Sequence, residues 1–164
     1  MRAMRTLLYF CDRKAVNGSA ILLGLALGLV LLPQGAASGS AQEPGAVPAH
    51  HRQAPEGPLP ATLGPGQFND PVVKNAYATA ARIKKTLYQQ PCYCHCDRSV
   101  GHGSLLDCYV SQHASGCDIC MRETFYAAEQ QRKGKSAAQI RAGIIRGDWE
   151  KLDITKYQTY PPAK

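Results

Sequence analysis

Large apolar residues recur at helical spacing in the part of the chain that follows Phe68, without the sustained alternation that half-buried strands require. This spacing predicts four helices, at Asp70–Gln89, Ser104–Gln112, Cys117–Lys133 and Ser136–Arg146. We therefore expect an all-α fold, a small bundle of about four helices, with a cysteine-rich loop between the first two.

Residues that begin and end helices lie at the ends of these segments. Asp70 precedes a proline, which is typical of a helix start, and Ser136 with Gln139 forms a capping-box pattern. Gly134 is placed to end the third helix, and Pro91 ends the first. Local chemistry and apolar spacing thus agree on the element order.

The first 41 residues have a different pattern. Four basic residues precede an apolar run from Ala20 to Leu32, which is followed by Pro33 and then by small residues. This order is typical of a secretory signal peptide, with cleavage after Ala41, and the alternative is a retained membrane anchor. We expect an exported protein, periplasmic or on the extracellular face, that meets a membrane only through an uncleaved N-terminal segment.

Residues 42–67 are rich in Pro, Gly and Ala and contain few large apolar residues, so we expect a disordered linker there. The predicted organisation is a signal segment over 1–41, this linker, a domain over 68–147 and a tail over 148–164. A domain of this size has a marginal apolar core, which disulfides or a metal ion often supplement.

The formal net charge is +7, of which the first 41 residues contribute +3, or four basic minus one acidic residue. The remainder is only mildly basic and has no run of Lys and Arg, which argues against nucleic acid as a partner.

Cysteine and histidine are concentrated in the stretch PCYCHCDRSVGHGSLLDCYVSQHASGCDIC. The candidate metal ligands are Cys92, Cys94, Cys96, His102, Cys108, His113, Cys117 and Cys120. Soft sulfur ligands select copper(I), zinc or iron–sulfur clusters, and imidazole is compatible with the first two. The donors suffice for two tetrahedral ions, and they fit a polynuclear copper(I) cluster equally well.

The sequence spacing of the cysteines limits how these donors can share one ion. Alternate side chains of an extended strand lie nearly 7 Å apart, so the segment from Cys92 to Cys96 must curl if its thiolates are to share an ion. Cys117 and Cys120 form a C-x-x-C pair at a predicted helix start, where free N–H groups stabilise thiolate. The role of His95 stays open.

Three disulfides are the main alternative to metal, and six cysteines allow fifteen pairings. The chain would then be a disulfide-stapled interaction module. A thiol–disulfide oxidoreductase using Cys117 and Cys120 is a further alternative, although the βαβ context usual for that motif is absent. A hydrolase using Cys108 and His113 lacks an evident third, orienting group. We therefore expect a binding protein in preference to an enzyme.

Four segments, PCYCHCD, GHGSLLDCYV, HASGCDICMRE and KGKSAAQIRAGI, resemble the bacterial PCYCGC-motif family of exported proteins and lipoproteins of unknown function. The resemblance extends from about Asn75 to Ile145. It implies an extracytoplasmic helical domain with a metal or redox role. This chain has His95 where the family motif has glycine, and it lacks the lipid-attachment cysteine of some members.

The resulting hypothesis is a protein that binds copper or zinc outside the cytoplasm, for sequestration or delivery. Its expected partners are the metal ion and another extracytoplasmic metalloprotein.

Overall fold

A computed structural model describes residues 45–161 of the chain. The α-helices in this range are α1 Pro71–Arg82, α2 Lys84–Leu87, α3 Cys96–Ser99, α4 Asp118–Arg132 and α5 Ala137–Ile145. Short 3-10 turns are Pro65–Gln67, Leu105–Tyr109, His113–Gly116, Asp148–Lys151 and Thr155–Tyr157. No strand is present between residues 45 and 161, so the predicted all-α class is confirmed. The signal segment predicted over 1–41 lies outside the described residues.

The predicted helix ends have the expected chemistry. The Asp70 carboxylate accepts hydrogen bonds from two backbone N–H groups of the first turn of α1, at 2.7 and 3.2 Å. Ser136 and Gln139 cap α5 reciprocally, at 3.3 and 3.0 Å. Gly134 follows α4 with a φ of 77°, the left-handed conformation that glycine adopts without strain. Helices α4 and α5 therefore match the predicted ranges to within one residue at each end.

The first two predicted helices differ from the structure. The continuous helix expected to Gln89 is interrupted at the β-branched Ile83, whose φ and ψ are −115° and 28°, and α2 ends at Leu87. The α-helix expected over Ser104–Gln112 is a 3-10 helix, Leu105–Tyr109. A segment this short gains little from α-type hydrogen bonds, which need a longer run to offset the cost of the first turn.

The core lies where α1 crosses α4 and is closed by the 3-10 helix Leu105–Tyr109. Its largest fully buried apolar side chains include Tyr77, Leu87, Tyr109 and Phe125. Helix α5 approaches α4 closely at Gly143, where a methyl group would overlap the hydroxyl end of Tyr126. The packing of α5 on α4 thus requires the absence of a side chain at this position.

The tail returns to the helices. Trp149 and Tyr157 are buried, and the Tyr157 ring stacks on Phe125 with ring centroids 3.7 Å apart. Asn75 on α1 donates a hydrogen bond to the Tyr157 carbonyl at 2.8 Å. The tail therefore belongs to the packed domain.

Residues 45–67 differ from the disordered linker expected there. Leu59 and Leu63 pack against the core, and the Leu63 N–H donates to the Tyr109 carbonyl at 2.9 Å. The Ala49 N–H donates to the Asp97 carboxylate at 3.0 Å. A few well-placed leucines and backbone hydrogen bonds order a segment whose composition favours disorder. Nowhere in residues 45–161 is there a helix of the length and apolarity needed to span a membrane.

Candidate metal centre

The cysteine loop curls at His95. Its φ and ψ are 56° and 33°, and it is the one non-glycine residue with a positive φ among the described residues. The His95 N–H donates to the Cys92 carbonyl at 3.1 Å, and α3 begins at the next residue, Cys96. The left-handed turn gives the C-x-C-x-C segment the curvature that shared ligation requires. The glycine of the PCYCGC motif falls at this position, which is where glycine is least strained.

Helix α4 holds this loop through Glu123. One carboxylate oxygen accepts the Tyr93 N–H at 2.9 Å, and the other is buried without a hydrogen-bond partner. Burial raises the pKa of the Glu123 carboxyl to about 8. Sequence reasoning missed Glu123. The sequence feature that could have identified Glu123 is a charged residue on the buried face of α4, one turn after Cys120.

Three sulfurs from the loop and from α4 form one half of the centre. The Cys92 Sγ lies 3.3 Å from the Cys94 Sγ and 3.4 Å from the Cys120 Sγ, and the Cys94 and Cys120 sulfurs are 3.7 Å apart. A disulfide would require about 2.05 Å. The edges of a tetrahedron with metal–sulfur bonds of about 2.3 Å are about 3.8 Å long. The spacing is therefore close to that of thiolates around one ion.

The other half joins α3 to the two 3-10 turns that follow it. The Cys96 and Cys108 sulfurs are 3.4 Å apart, and the His102 Nδ1 lies 3.4 Å from the Cys108 Sγ. The His113 Nε2 lies 3.7 Å from the Cys94 Sγ, and its ring centroid is 4.9 Å from that of His102. Cys94 and His113 thus connect the two halves.

The structure brings all eight sequence-predicted donors into three groups. Within each group, the ligand atoms lie within 4.8 Å of one another. The groups are Cys92, Cys94, Cys96 and Cys108; Cys94, His113, Cys117 and Cys120; and Cys96, His102, Cys108 and His113. The six cysteines of the described chain are free thiols. These residues could hold a soft metal ion.

His95 belongs to none of these groups. Its ring packs edge-on to Tyr93 with centroids 5.9 Å apart, and its buried Nδ1 has no hydrogen-bond partner. Cys11, which would leave with the expected signal peptide, lies outside the described residues.

Burial divides the donors. Four sulfurs are buried, those of Cys92, Cys96, Cys108 and Cys120. The remaining donors, Cys94, Cys117, His102 and His113, are partly exposed. The centre therefore combines four buried sulfurs with four donors that solvent can reach.

Hydrogen bonds among the thiols separate their acidities. Interaction with the neighbouring Cys108, and next with Cys117 and Cys120, lowers the pKa of the Cys94 thiol. Interaction with the neighbouring Cys108 raises the pKa of the Cys92 thiol. Burial, and next the neighbouring His113, lowers the pKa of His102, which favours the neutral imidazole that ligates metals.

The start of α4 contributes both a thiol pair and a helix end. Cys117 is the N-cap residue, and its Sγ accepts the Cys120 N–H at 3.4 Å. Negative charge is favoured at a helix N-terminus. The buried Tyr109 hydroxyl donates to the Cys120 carbonyl at 2.9 Å and fixes this turn against the core. One cysteine pair is thereby positioned by the hydrophobic core.

The profile of one protein family, described as "protein of unknown function with PCYCGC motif", matches residues 50–150. No curated protein and no solved structure matches the chain. The matched range contains the whole Cys/His centre, and it also contains the part of the N-terminal segment that packs on the domain, including Leu59 and Leu63. Because the match covers well over half of the chain, the protein belongs to the PCYCGC-motif family of unknown function.

Proposed function

We propose that this protein binds a soft transition metal, copper(I) or zinc, outside the cytoplasm and sequesters it or delivers it to another extracytoplasmic metalloprotein. The observation that carries the proposal is the convergence of six free thiols and two imidazoles into groups of metal-ligand dimensions. Sulfur and imidazole are the ligands that these two metals prefer. The basic and then apolar pattern of the first 41 residues supports export.

A redox role is less well supported. A reactive C-x-x-C thiol needs a lowered pKa. The hydrogen bond with Cys120 lowers the pKa of the Cys117 thiol, but the interaction with Cys94 and burial outweigh it, so that the pKa is raised overall. A metal ligand must also be a thiolate, so this direction alone does not separate the two roles. The redox role is less well supported because residues 45–161 contain no strand, and a redox C-x-x-C usually lies in a βαβ unit.

The test is metal analysis of the protein purified anaerobically from its native compartment, together with a free-thiol count. We expect at least one equivalent of copper or zinc, and six thiols that react only after chelation. Replacing Cys117 and Cys120 together with Ser should remove most of the metal. The matched control is His95→Gln, which changes a histidine of the same loop outside the three donor groups and should retain the metal. Metal-free protein with no reactive thiols until reduction would refute the proposal in favour of disulfides.

A mature N-terminus at Gln42, identified by mass spectrometry of the exported protein, is the expected result for the signal peptide. Recovery of the chain from membranes with its first residues intact would instead indicate an anchor.

A further inference from the structure

The three donor groups of the centre are not separate sites. The first and second groups share Cys94, the first and third share Cys96 and Cys108, and the second and third share His113. Two independent tetrahedral ions need eight different ligands. Since every pair of groups has a donor in common, filling more than one group requires ligands to be shared. Two ions without a shared ligand would need, for example, the third group and, as a second set, Cys92, Cys94, Cys117 and Cys120, but Cys92 and Cys117 belong to no common group.

Sulfur and nitrogen differ in how they can be shared. A thiolate sulfur has enough lone pairs to bind two ions, whereas one imidazole nitrogen binds a single ion. Cys94 can therefore join the first group to the second. Cys96 and Cys108 together can join the first to the third, through a ring of two metals and two sulfurs. His113 can bind only one ion through a given ring nitrogen.

This difference favours one of the two candidate metals. If the His113 Nε2, which lies 3.7 Å from the Cys94 Sγ, binds the ion of the second group, it is not available to the third group. The third group then keeps Cys96, His102 and Cys108, which are three donors. Structural zinc sites are almost always four-coordinate, whereas copper(I) is soft and is stable with two or three sulfur or nitrogen ligands. The shared arrangement fits copper(I) better than zinc.

Burial and the helix end suit the shared sulfurs. Cys96 and Cys108 are at most 2% exposed, so water is kept from the sulfurs that would bridge. The N-terminus of α4, adjacent to Cys117 and Cys120, offsets part of the negative charge that a thiolate-rich cluster carries. The partly exposed Cys94 and Cys117 give ions a route from solvent.

We propose that the domain holds a thiolate-bridged copper(I) cluster of more than one ion, up to one in each donor group, with Cys94 as the link between the α4 start and the Cys96–Cys108 pair. This inference rests on the proposed metal-binding function and deepens it. Each thiol that binds releases its proton to solvent, and copper remains in the +1 state throughout.

The experiment is anaerobic titration of the reduced chain with copper(I) in the presence of a competing copper(I) chelator, followed by native mass spectrometry and X-ray absorption spectroscopy. Sharing makes filling cooperative: we expect chains with two or three ions together, a copper–copper scattering vector, and under about a tenth of chains singly loaded at half-saturation. Random filling of two equal sites would leave about half singly loaded.

Two single substitutions test the link. Cys94→Ser removes the thiolate shared by the first two groups and should raise the singly loaded fraction several-fold. Cys117→Ser also removes one sulfur, from a single group, and should lower the total copper while keeping the loading cooperative and the copper–copper vector. If Cys94→Ser does not fold, the wild-type loading pattern and scattering still decide the matter.

The outcomes separate the two proposals. A chain that binds neither copper nor zinc refutes the proposed function itself. Saturation at one ion, or random filling without metal–metal scattering, overturns the cluster and leaves metal binding intact. Bridged loading by zinc but not by copper(I) overturns the assignment of the metal.

Discussion

At the scale of single residues, the centre depends on two positions that are not donors. His95 supplies the left-handed turn that curls the loop, and Glu123 anchors the loop to α4 through the Tyr93 N–H. Each bears a physical cost, backbone strain at the first and a buried carboxyl at the second. The turn and the hydrogen bond that carry these costs bring the thiols of two distant segments to one place.

His95→Gly should stabilise the protein. A left-handed conformation costs an ordinary residue about 1–2 kcal/mol and costs glycine almost nothing, so we expect a gain of about 1 kcal/mol in the free energy of unfolding. Urea denaturation of the metal-loaded protein measures it. His95→Ala is the control, because alanine keeps the Cβ atom and the strain. Equal stability of the Gly and Ala variants would show that the turn stores no strain.

Glu123→Ala and Glu123→Gln should behave differently. Alanine leaves the Tyr93 N–H without its acceptor and opens a cavity, so we expect a loss of about 2–4 kcal/mol. Glutamine keeps an acceptor oxygen of the same shape and stays within about 1 kcal/mol of the wild type. Thermal unfolding and metal content measured on both variants test this. A Gln variant as unstable as the Ala variant would mean that the negative charge itself is required.

The raised pKa of Glu123 sets a pH dependence in the reduced, metal-free protein. Its pKa is about 8 when folded and 4.5 ordinarily, so from pH 4.5 to 8 the unfolded state loses the proton first. The contribution of this group therefore lowers wild-type stability as pH rises through that window. Glu123→Gln removes that contribution, and urea unfolding of both proteins at pH 5 and pH 8 should show a larger fall in the wild type.

At the scale of elements, the helices differ in how far the local sequence determines their boundaries and type. Helices α4 and α5 were predicted closely, because caps and glycine ends mark their boundaries. The interruption of the first helix at Ile83 and the 3-10 form of Leu105–Tyr109 were not predicted, since both depend on how the segments pack. Residues 45–67 were misjudged because composition does not reveal a docking surface.

Gly143 shows how packing reverses a helix preference. Ala is favoured over Gly by about 1 kcal/mol in a helix interior. In α5, however, a methyl group at this position would overlap the hydroxyl end of Tyr126 on α4. We expect Gly143→Ala to lower the free energy of unfolding by about 1–3 kcal/mol.

The matched test of this contact is the double variant Tyr126→Phe with Gly143→Ala. Removing the hydroxyl removes the closest atom, so the loss due to alanine should shrink in the Phe background. Denaturant titrations of the four proteins give the coupling. A cost that is the same in both backgrounds would place the conflict elsewhere.

At the scale of the whole molecule, the eight donors connect the cysteine loop, the 3-10 turns and the start of α4, which also share the Tyr109–Cys120 and Tyr93–Glu123 hydrogen bonds. Residue type alone selected the eight side chains that the structure brings together, because soft ligands in such density point to few other uses. Which donors share a group was beyond sequence reasoning. The Cys92 Sγ meets the Cys120 Sγ, 28 positions away, through the packing of the cysteine loop on the start of α4. Glu123 was missed for the same reason, since its partner is a loop N–H group and not a neighbour in the chain.

Removal of the metal should therefore lower the stability of the entire domain. Binding energy of an ion that ties the cysteine loop, the 3-10 turns and the α4 start together is also folding energy. We expect a chelator to lower the thermal midpoint by about 10 °C or more, because each kcal/mol shifts the midpoint of a domain slightly above 100 residues by about 4 °C. Circular dichroism at 222 nm follows it, and restoring the metal should restore the midpoint.

Reductant and acid complete the test. Reductant alone should leave the midpoint unchanged, because free thiols have no bridge to lose. Acidification should weaken the contribution of the metal, since each bound thiolate must take up a proton on release, so the chelator-induced shift should be smaller at pH 5 than at pH 8. Three disulfides would give the opposite pattern, in which a chelator has no effect and reductant lowers the midpoint at either pH.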